Sequence, residues 1–234
     1  MKCYVINLER QKKRLKDFKA AVPKEFEVIT VSAIDKLKIQ AVENKALLFD
    51  TKTFSQVVPF EPTWGEIACT LSHAKAWTMI AEDSSLDDDD FALVAEDDLI
   101  FVHNAKGFIQ GIVDSLKEDW PSIKLVRLHV LSNPQGSLDV DADTIKLFGP
   151  NEFPIDDCGA ALYLLRKSKA KKLAAHMTKA KPSWLADWFG AFIQNDEVLT
   201  CNVNLGKIDG SAGSDLEEER AQVRNMSCVL VDTE

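Results

Sequence analysis

The first 35 residues alternate between apolar runs and one basic, helix-like run. CYVINL at 3–8 is an apolar stretch of strand length, and FEVITVSAID at 26–35 is rich in β-branched residues. The segment between them, ERQKKRLKDFKAAV, has the spacing of an amphipathic helix. Two strands joined by a helix run parallel, because the crossover returns the chain to the end of the sheet where it started. The opening therefore predicts an α/β fold built on a mostly parallel sheet.

The same alternation continues through the middle of the chain. TWGEIACTLSHAKAWTMIAED at 63–83 has a helical pattern, and Thr63 and Glu66 have the spacing of a capping box. Ser168 is predicted to cap a later helix, and PSWLADWFGAFIQN at 182–195 is predicted to be a short aromatic helix. Strands are further predicted at 91–98, 123–130, 144–148, 158–167 and 198–205, and a helix near 104–118. We expect one α/β domain with a more irregular C-terminal half.

Composition limits the function classes. A net charge of −9 argues against a nucleic-acid binder, which would show a basic face, but leaves room for a phosphate-bearing ligand. Five cysteines without paired spacing indicate reduced core residues in a cytoplasmic protein. No segment approaches the roughly 20 apolar residues of a membrane span. Any membrane contact is expected to be peripheral, at the inner face of the cytoplasmic membrane.

The stretch ALVAEDDLIF at 92–101 interrupts an apolar run with Glu96, Asp97 and Asp98. Unpaired carboxylates are costly to bury, so the acids need a partner or solvent. In an extended chain Glu96 and Asp98 share one side and Asp97 takes the other. Ligands bind beyond the carboxyl ends of parallel strands, and Mg²⁺ or Mn²⁺ favours one or two carboxylates with phosphate oxygens. The pattern fits either a divalent metal site or a solvated strand end.

The turn after the first strand offers groups for a nucleotide. Backbone and side-chain groups at Asn7 and Leu8 lie where a base or ribose could pair with them. Arg10 and Arg14 are four positions apart on one helical face, and either could reach a diphosphate. The alternative is a solvated basic helix.

Two further patterns suggest site residues. Ser72 and His73 are adjacent within the predicted helix and point apart, so they do not form a nucleophilic pair, and their spacing alone favours a structural role. Asp187 lies between Trp184 and Trp188, where partial desolvation would raise its pKa and suit it as a base, while the indole rings could stack on sugars. The alternative is an amphipathic core helix with Asp187 exposed or capping.

Taken together, four segments resemble glycosyltransferase family 25. They are YVINLERQKKRL, EPTWGEIACTLSHAKAW, ALVAEDDLIF, and CGAALYLLRKSKAKKL followed by WLADW, in the family's order over roughly residues 3–190. The resemblance implies a GT-A-like fold, a Rossmann-type mostly parallel sheet with helices on both faces. It implies one domain over 1–234, in which about 1–130 binds the nucleotide sugar and about 131–234 binds the acceptor.

The resemblance also implies a chemistry. Glu96, Asp97 and Asp98 take the place of a DxD-type motif, with Asp98 the first choice for Mn²⁺ or Mg²⁺ and Glu96 for ribose or metal. Glu66, Ser72 and His73 fall on the family's central motif, where they would line or support the donor site. The expected reaction is inverting transfer of a hexose from a UDP-sugar to a saccharide or glycolipid acceptor in lipopolysaccharide or surface-glycan synthesis. The resemblance to the family favours galactose as that hexose.

The base in that reaction is expected to be Asp187, with Asp157 or Asp156 in reserve. Trp184 and Trp188 would bind the acceptor. Two alternatives remain open at this point. A sugar nucleotidyltransferase would use similar acids but normally has a glycine-rich phosphate loop, and INLERQKKR contains no glycine. A catalytically degenerate sugar- or nucleotide-binding protein, or a scaffold, would keep the fold and tolerate neutralisation of the acids.

Overall fold

The computed structural model describes residues 1–131, 133, 138–149, 158–210 and 219–221. Nine strands lie within these residues: β1 (Lys2–Asn7), β2 (Glu27–Ser32), β3 (Phe91–Glu96), β4 (Leu99–Phe101), β5 (Leu125–Arg127), β6 (Leu147–Phe148), β7 (Leu162–Arg166), β8 (Val198–Cys201) and β9 (Gly206–Ile208). Seven of them form one sheet in the order β2-β1-β3-β7-β5-β8-β6, and β4 pairs with β9 in a small second sheet. Five strands of the large sheet run one way, while β7 and β6 run against them. The predicted mostly parallel sheet is confirmed.

Six α-helices that lie wholly within the described residues connect and cover the strands. They are α1 (Lys12–Ala21), α2 (Lys36–Ile39), α3 (Thr51–Phe54), α4 (Trp64–Glu82), α5 (Ala105–Glu118) and α6 (Lys167–Met177). The predicted opening of strand, helix and parallel strand is confirmed by β1, α1 and β2, whose register pairs Val5 with Thr30. β3 then joins the other side of β1, with Ile6 opposite Glu96. This register brings the end of β1 beside Glu96, the last residue of β3, and the two acids that follow it.

Alternation along the central strands divides the core into two layers. One side of the sheet packs with α1 and α5, through clusters that include Val5, Leu93 and Ile109. The opposite side packs with α4 and α6, and includes Val94 and Trp77. Both faces of the sheet are therefore covered, as buried, mostly parallel sheets require. A third, smaller cluster lies under the irregular segment that contains α3.

The prediction of an aromatic helix at 182–195 is wrong. That segment contains only short 3₁₀ turns, at Phe189–Ala191 and at its end. Its backbone bonds to distant partners instead: the amide of Ala186 donates to Thr70 Oγ1 over 3.1 Å, and Pro182 O accepts from Asp50 N over 2.8 Å. Trp184 and Phe189 are buried without a helix between them, so helical periodicity was a misleading signal here.

Other boundaries also differ from the prediction. The helix predicted to start with a Ser168 cap begins at Lys167, and the preceding residue makes no side-chain cap. The strand predicted at 198–205 ends at Cys201, because the chain turns there to form β9 against β4. This small second sheet was not predicted, since three-residue strands carry too little pattern to be recognised. It lies directly after the acids and fixes the course of the chain beyond them.

The capping box of α4 is confirmed. Thr63 Oγ1 accepts a hydrogen bond from the amide of Glu66 over 3.1 Å, and Glu66 Oε2 accepts from the amide of Thr63 over 2.8 Å. The box fixes the start of the helix that carries much of the site described below.

We expect Thr63→Ala to lower the free energy of unfolding by about 1 kcal/mol, because it removes one side of the box. Thr63→Ser keeps the hydroxyl group and is the matched control. Urea denaturation of the two variants and the unchanged protein measures the difference. Equal stability of the alanine and serine variants would show that the cap contributes nothing.

Candidate active site

The end of β1 is joined to the acids by a buried network. Asn7 Nδ2 donates to Asp97 Oδ2 over 2.5 Å and to Gln11 O over 3.1 Å. Arg14, on α1, pairs with Asp97 and, over 2.9 Å, with Asp98. Burial raises the pKa of Asp97, and the Asn7 hydrogen bond and the Arg14 charge act against that rise. The interaction between Asn7 and Asp97 therefore fixes the turn that follows β3.

The strict alternation predicted for the acids does not hold. β3 ends at Glu96, and Asp97 and Asp98 occupy a turn before β4. In a turn, successive side chains need not take opposite faces, and here both Asp97 and Asp98 reach Nη2 of Arg14. Asp97 is held by Asn7 and Arg14 and lines one of the two clefts described below, whereas Glu96 and Asp98 line both of them.

Glu96 receives its contacts from the central helix. His73, on α4, lies with Nε2 3.3 Å from Glu96 Oε1 and Nδ1 2.9 Å from the hydroxyl of Tyr163 on β7. Burial disfavours the ionised form of Glu96, whereas the hydrogen bond with His73 and nearby positive charge, including that of Arg14, favour it, and the pKa of Glu96 lies below its usual value. Glu96 is therefore an ionised acid at the carboxyl end of a buried strand.

Asp98 is the acid that most needs a further partner. Its side chain is 18% exposed, and within the described residues its Oδ1 has no hydrogen-bond donor. Burial and the neighbouring charge of Glu96 raise the pKa of Asp98 to about 7. A divalent cation would satisfy both the orphaned oxygen and the excess negative charge, and carboxylate oxygens are the ligands that Mg²⁺ and Mn²⁺ prefer. Glu96 and Asp98 thus fit such an ion.

A second possible ligand set lies nearby. Cys69, His73 and Glu96 place one sulfur, one nitrogen and one oxygen within 4.8 Å of one another. This mixture is typical of sites for zinc and other transition metals rather than of Mg²⁺ or Mn²⁺. However, burial raises the pKa of the Cys69 thiol well above its usual range, which opposes the thiolate that a metal requires.

A cavity of about 160 Å³ lies at the ends of β1 and β2 and along α4. We name it the donor cleft, after the role proposed for it below. Its lining includes the predicted residues Leu8, Arg10, Arg14, Ser72, His73, Glu96, Asp97 and Asp98. Ser72 also connects elements: its hydroxyl accepts from Ile34 N over 2.8 Å and donates to Ala68 O over 2.6 Å. Arg10 Nε donates to Asp35 over 2.9 Å. Asn7 does not line the cleft but supports Asp97 from behind it.

A second cavity, of about 310 Å³, is lined by Asp187. We name it the acceptor cleft, after the role proposed for it below. Cys69, Glu96 and Asp98 line both clefts. The two cavities therefore meet at the acids, and a group held in one would lie next to a group held in the other.

Asp187 has the environment expected of a base. Its Oδ1 is buried without a hydrogen-bond donor among the described residues, and Arg220 Nη2 lies 3.8 Å from its Oδ2. Burial raises the pKa of Asp187, Arg220 lowers it, and the charges of Glu96 and Glu66 raise it further. Glu66 is almost fully buried and accepts from Arg220 Nε over 2.8 Å. Sequence reasoning missed Arg220, because no local pattern links it to acids so distant in the chain.

The acceptor role predicted for the two tryptophans is not supported by their positions. Trp184 is buried against Phe192 and His176, and Trp188 stacks on Phe54 at a centroid distance of 5.4 Å. Neither ring lines the acceptor cleft, although the residues between them do. Asp156 and Asp157, the reserve bases, lie outside the described residues.

Comparison with known proteins identifies the class. The model of glycosyltransferase family 25, described as LPS biosynthesis protein, matches residues 1–189. The chain therefore belongs to glycosyltransferase family 25, and the predicted resemblance is confirmed. No curated protein matches it.

Similarity to solved structures is at the level of overall shape. A197 from STIV has 10% sequence identity and a TM-score of 0.44, over 88% of this chain and 82% of that one. The galactosyltransferase LgtC, in complex with donor and acceptor sugar analogs, has 11% identity and a TM-score of 0.40, over 86% of this chain and 73% of that one. An active-site mutant of LgtC gives 13% identity and a TM-score of 0.38, over 86% and 72%.

Across the described residues, no helix has the length and apolar character needed to cross a bilayer.

Proposed function

We propose that the protein is a metal-dependent, inverting hexosyltransferase that moves galactose from a UDP-sugar to a saccharide or glycolipid acceptor in lipopolysaccharide or surface-glycan synthesis. The observation that carries this proposal is the junction of the two clefts at Cys69, Glu96 and Asp98. A transferase must hold two substrates with their reacting atoms in contact. Two cavities that share an acidic wall meet that need.

The donor cleft supplies the groups that a nucleoside diphosphate requires. Arg10, Arg14 and Lys36 line it, and the acids lie at the same end. Guanidinium groups hold phosphate oxygens through paired hydrogen bonds, and Arg14 on α1 already pairs with Asp97 and Asp98 at this end of the cleft. Mn²⁺ or Mg²⁺ bound by Glu96 and Asp98 would offset the charge that collects on the departing diphosphate.

The acceptor cleft supplies the base. Asp187 offers a buried oxygen that no described donor occupies, and it can take the proton of an acceptor hydroxyl as that oxygen attacks the anomeric carbon. Attack from the acceptor cleft, opposite the diphosphate, would invert the anomeric centre. The charge of Arg220 lowers the pKa of Asp187 and so favours the ionised carboxyl, and it leaves Oδ1 free because Arg220 lies beside Oδ2.

We also propose that the two halves of the chain bind different substrates. Every residue that lines the donor cleft falls within 6–98, whereas the acceptor cleft takes residues from 66 to 220. This supports a single domain whose N-terminal half, about 1–130, binds the nucleotide sugar. The C-terminal half, about 131–234, would complete the acceptor site. We place the reaction in the cytoplasm, with membrane contact limited to the inner face.

A thermal-shift titration tests the proposal. UDP, GDP, UDP-galactose and UDP-glucose are each added with and without Mn²⁺, because a ligand that binds only the folded state raises the unfolding midpoint. We expect a rise of about 2–4 °C or more with UDP species that depends on the metal, the shift produced by about 1 kcal/mol in a chain of this size. No response to any of these nucleotides would instead favour the catalytically degenerate or scaffold protein.

A further inference from the structure

The contacts of Tyr163 determine where one proton lies. Tyr163 is completely buried, and among the described residues its hydroxyl group has two hydrogen-bond partners, Trp77 Nε1 at 2.9 Å and His73 Nδ1 at 2.9 Å. The indole N–H can only donate, so it donates to the Tyr163 oxygen. Burial raises the pKa of Tyr163, which keeps the phenol protonated at neutral pH.

The phenol hydrogen has one acceptor among the described residues. A buried hydroxyl hydrogen without an acceptor is costly, so it is donated to His73 Nδ1. Nδ1 is then an acceptor, and the single ring proton of neutral His73 is on Nε2. That N–H points to Glu96 Oε1, 3.3 Å away. The three hydrogen bonds from Trp77 through Tyr163 and His73 to Glu96 all point the same way, because the indole N–H of Trp77 at their start can only donate.

We propose that Trp77 and Tyr163 lock His73 in the Nε2–H tautomer, and that His73 is a positioning residue that holds Glu96 by Oε1. Glu96 then presents Oε2, which has no hydrogen-bond partner among the described residues, to a ligand in the clefts. The role assigned to the ligand rests on the proposed function, whereas the tautomer rests on the hydrogen bonds alone.

The lock has a consequence for metal choice. A metal bound by His73 would need the Nε2 lone pair, which would move the ring proton to Nδ1 and leave the phenol hydrogen of Tyr163 without an acceptor. Cys69, His73 and Glu96 therefore do not form a zinc-type site, in spite of their proximity. Divalent ions go to the carboxylate oxygens of Glu96 and Asp98 instead.

Long-range ¹H–¹⁵N NMR of the histidine rings tests the tautomer without any substrate. We expect the His73 resonances to show a proton on Nε2 and none on Nδ1, in the unchanged protein at neutral pH. Loss of His73 from the spectrum of a His73→Gln variant assigns the signals. A proton on Nδ1 would overturn the lock, whether or not the protein transfers sugar.

Two substitutions at one position test the positioning role. His73→Gln places an N–H where Nε2–H lies, whereas His73→Leu has similar bulk and no donor. We expect H73Q to bind the UDP-sugar with Mn²⁺ at least about tenfold more tightly than H73L, as for other partners of metal ligands, when binding is measured by calorimetry. Equal affinities of the two variants would overturn the role. Tyr163→Phe, which keeps the ring and removes the lock, gives a third measurement if H73L fails to fold, and we expect a mixture of tautomers there.

Cobalt spectroscopy tests the metal choice. Co²⁺ bound by carboxylates gives weak visible bands, whereas a cysteine ligand adds an intense charge-transfer band in the near ultraviolet. We expect no such band in the unchanged protein, and a band that disappears in Cys69→Ser would overturn the inference. If no variant binds a nucleotide or transfers sugar, the proposed function fails, while the NMR and cobalt results still decide the inference by themselves.

Discussion

Asp98→Asn should reduce sugar transfer by about 100-fold or more while the protein stays folded. The change removes a charge at the site of the expected metal. A bound metal ion stabilises the charge of a transition state by several kcal/mol, and each 1.36 kcal/mol corresponds to a factor of ten in rate. Because burial and Glu96 raise the pKa of Asp98 to about 7, the folded protein without a metal already carries this group partly neutral, so the amide should not disturb the fold. A transfer assay with a UDP-sugar and Mn²⁺ measures the loss.

The matched control is Asp88→Asn, the same chemical change at an acid whose partner is Lys171 on the surface. We expect the control to keep full activity. Unfolding midpoints of both variants should lie within a few degrees of the unchanged protein. Full activity of the Asp98→Asn variant would remove the metal assignment, and the acids after β3 would return to a solvated strand end.

Asp187→Asn should lower the turnover number by about 10²–10⁴-fold, the usual contribution of a general base. The amide has nearly the same shape but cannot take a proton. Binding of the donor should change little, because Asp187 lines only the acceptor cleft. Asp196→Asn, at an exposed acid in the same region of the chain, is the control. Unchanged turnover would transfer the role of base to another acid.

Arg220→Gln gives a pH signature for the same group. The base works when it is deprotonated, so activity falls as the pH drops through its pKa. Burial raises the pKa of Asp187, Arg220 lowers it, and Glu96 and Glu66 raise it. Removing the arginine charge should therefore move the acidic limb of the activity profile to higher pH. Arg220→Lys keeps the charge and should move it less, and coincident profiles would contradict the role of Arg220.

Several parts of the fold followed from local pattern. The apolar run of β1, the basic helix α1 and the β-branched run of β2 predicted a parallel pair, and the register confirms it. Thr63 and Glu66 predicted the start of α4 because a capping box needs only four consecutive residues. The acids after β3 were also visible, since three carboxylates at the end of a buried strand conflict with the apolar run around them.

The aromatic segment at 182–195 is a part of the fold that local sequence pattern did not predict. Its spacing resembled a helix, but its backbone hydrogen bonds go to Thr70 and Asp50, which no pattern within 182–195 could reveal. Trp184 accordingly lies in the core and Trp188 is half-buried against Phe54, while Asp187 between them reaches the acceptor cleft.

The sequence by itself determined the fold class, the family and the place of the acids at the end of a strand. The fold class and the acids could be read from patterns of residues close together in the chain, and the family from motifs in a fixed order. Only the tertiary structure decided how the acids differ from one another. Arg220 meets Glu66 across 154 positions, and His73 meets Tyr163 across 90. Burial and these distant partners set the charge of each carboxyl, and they arise only when the sheet and helices pack together.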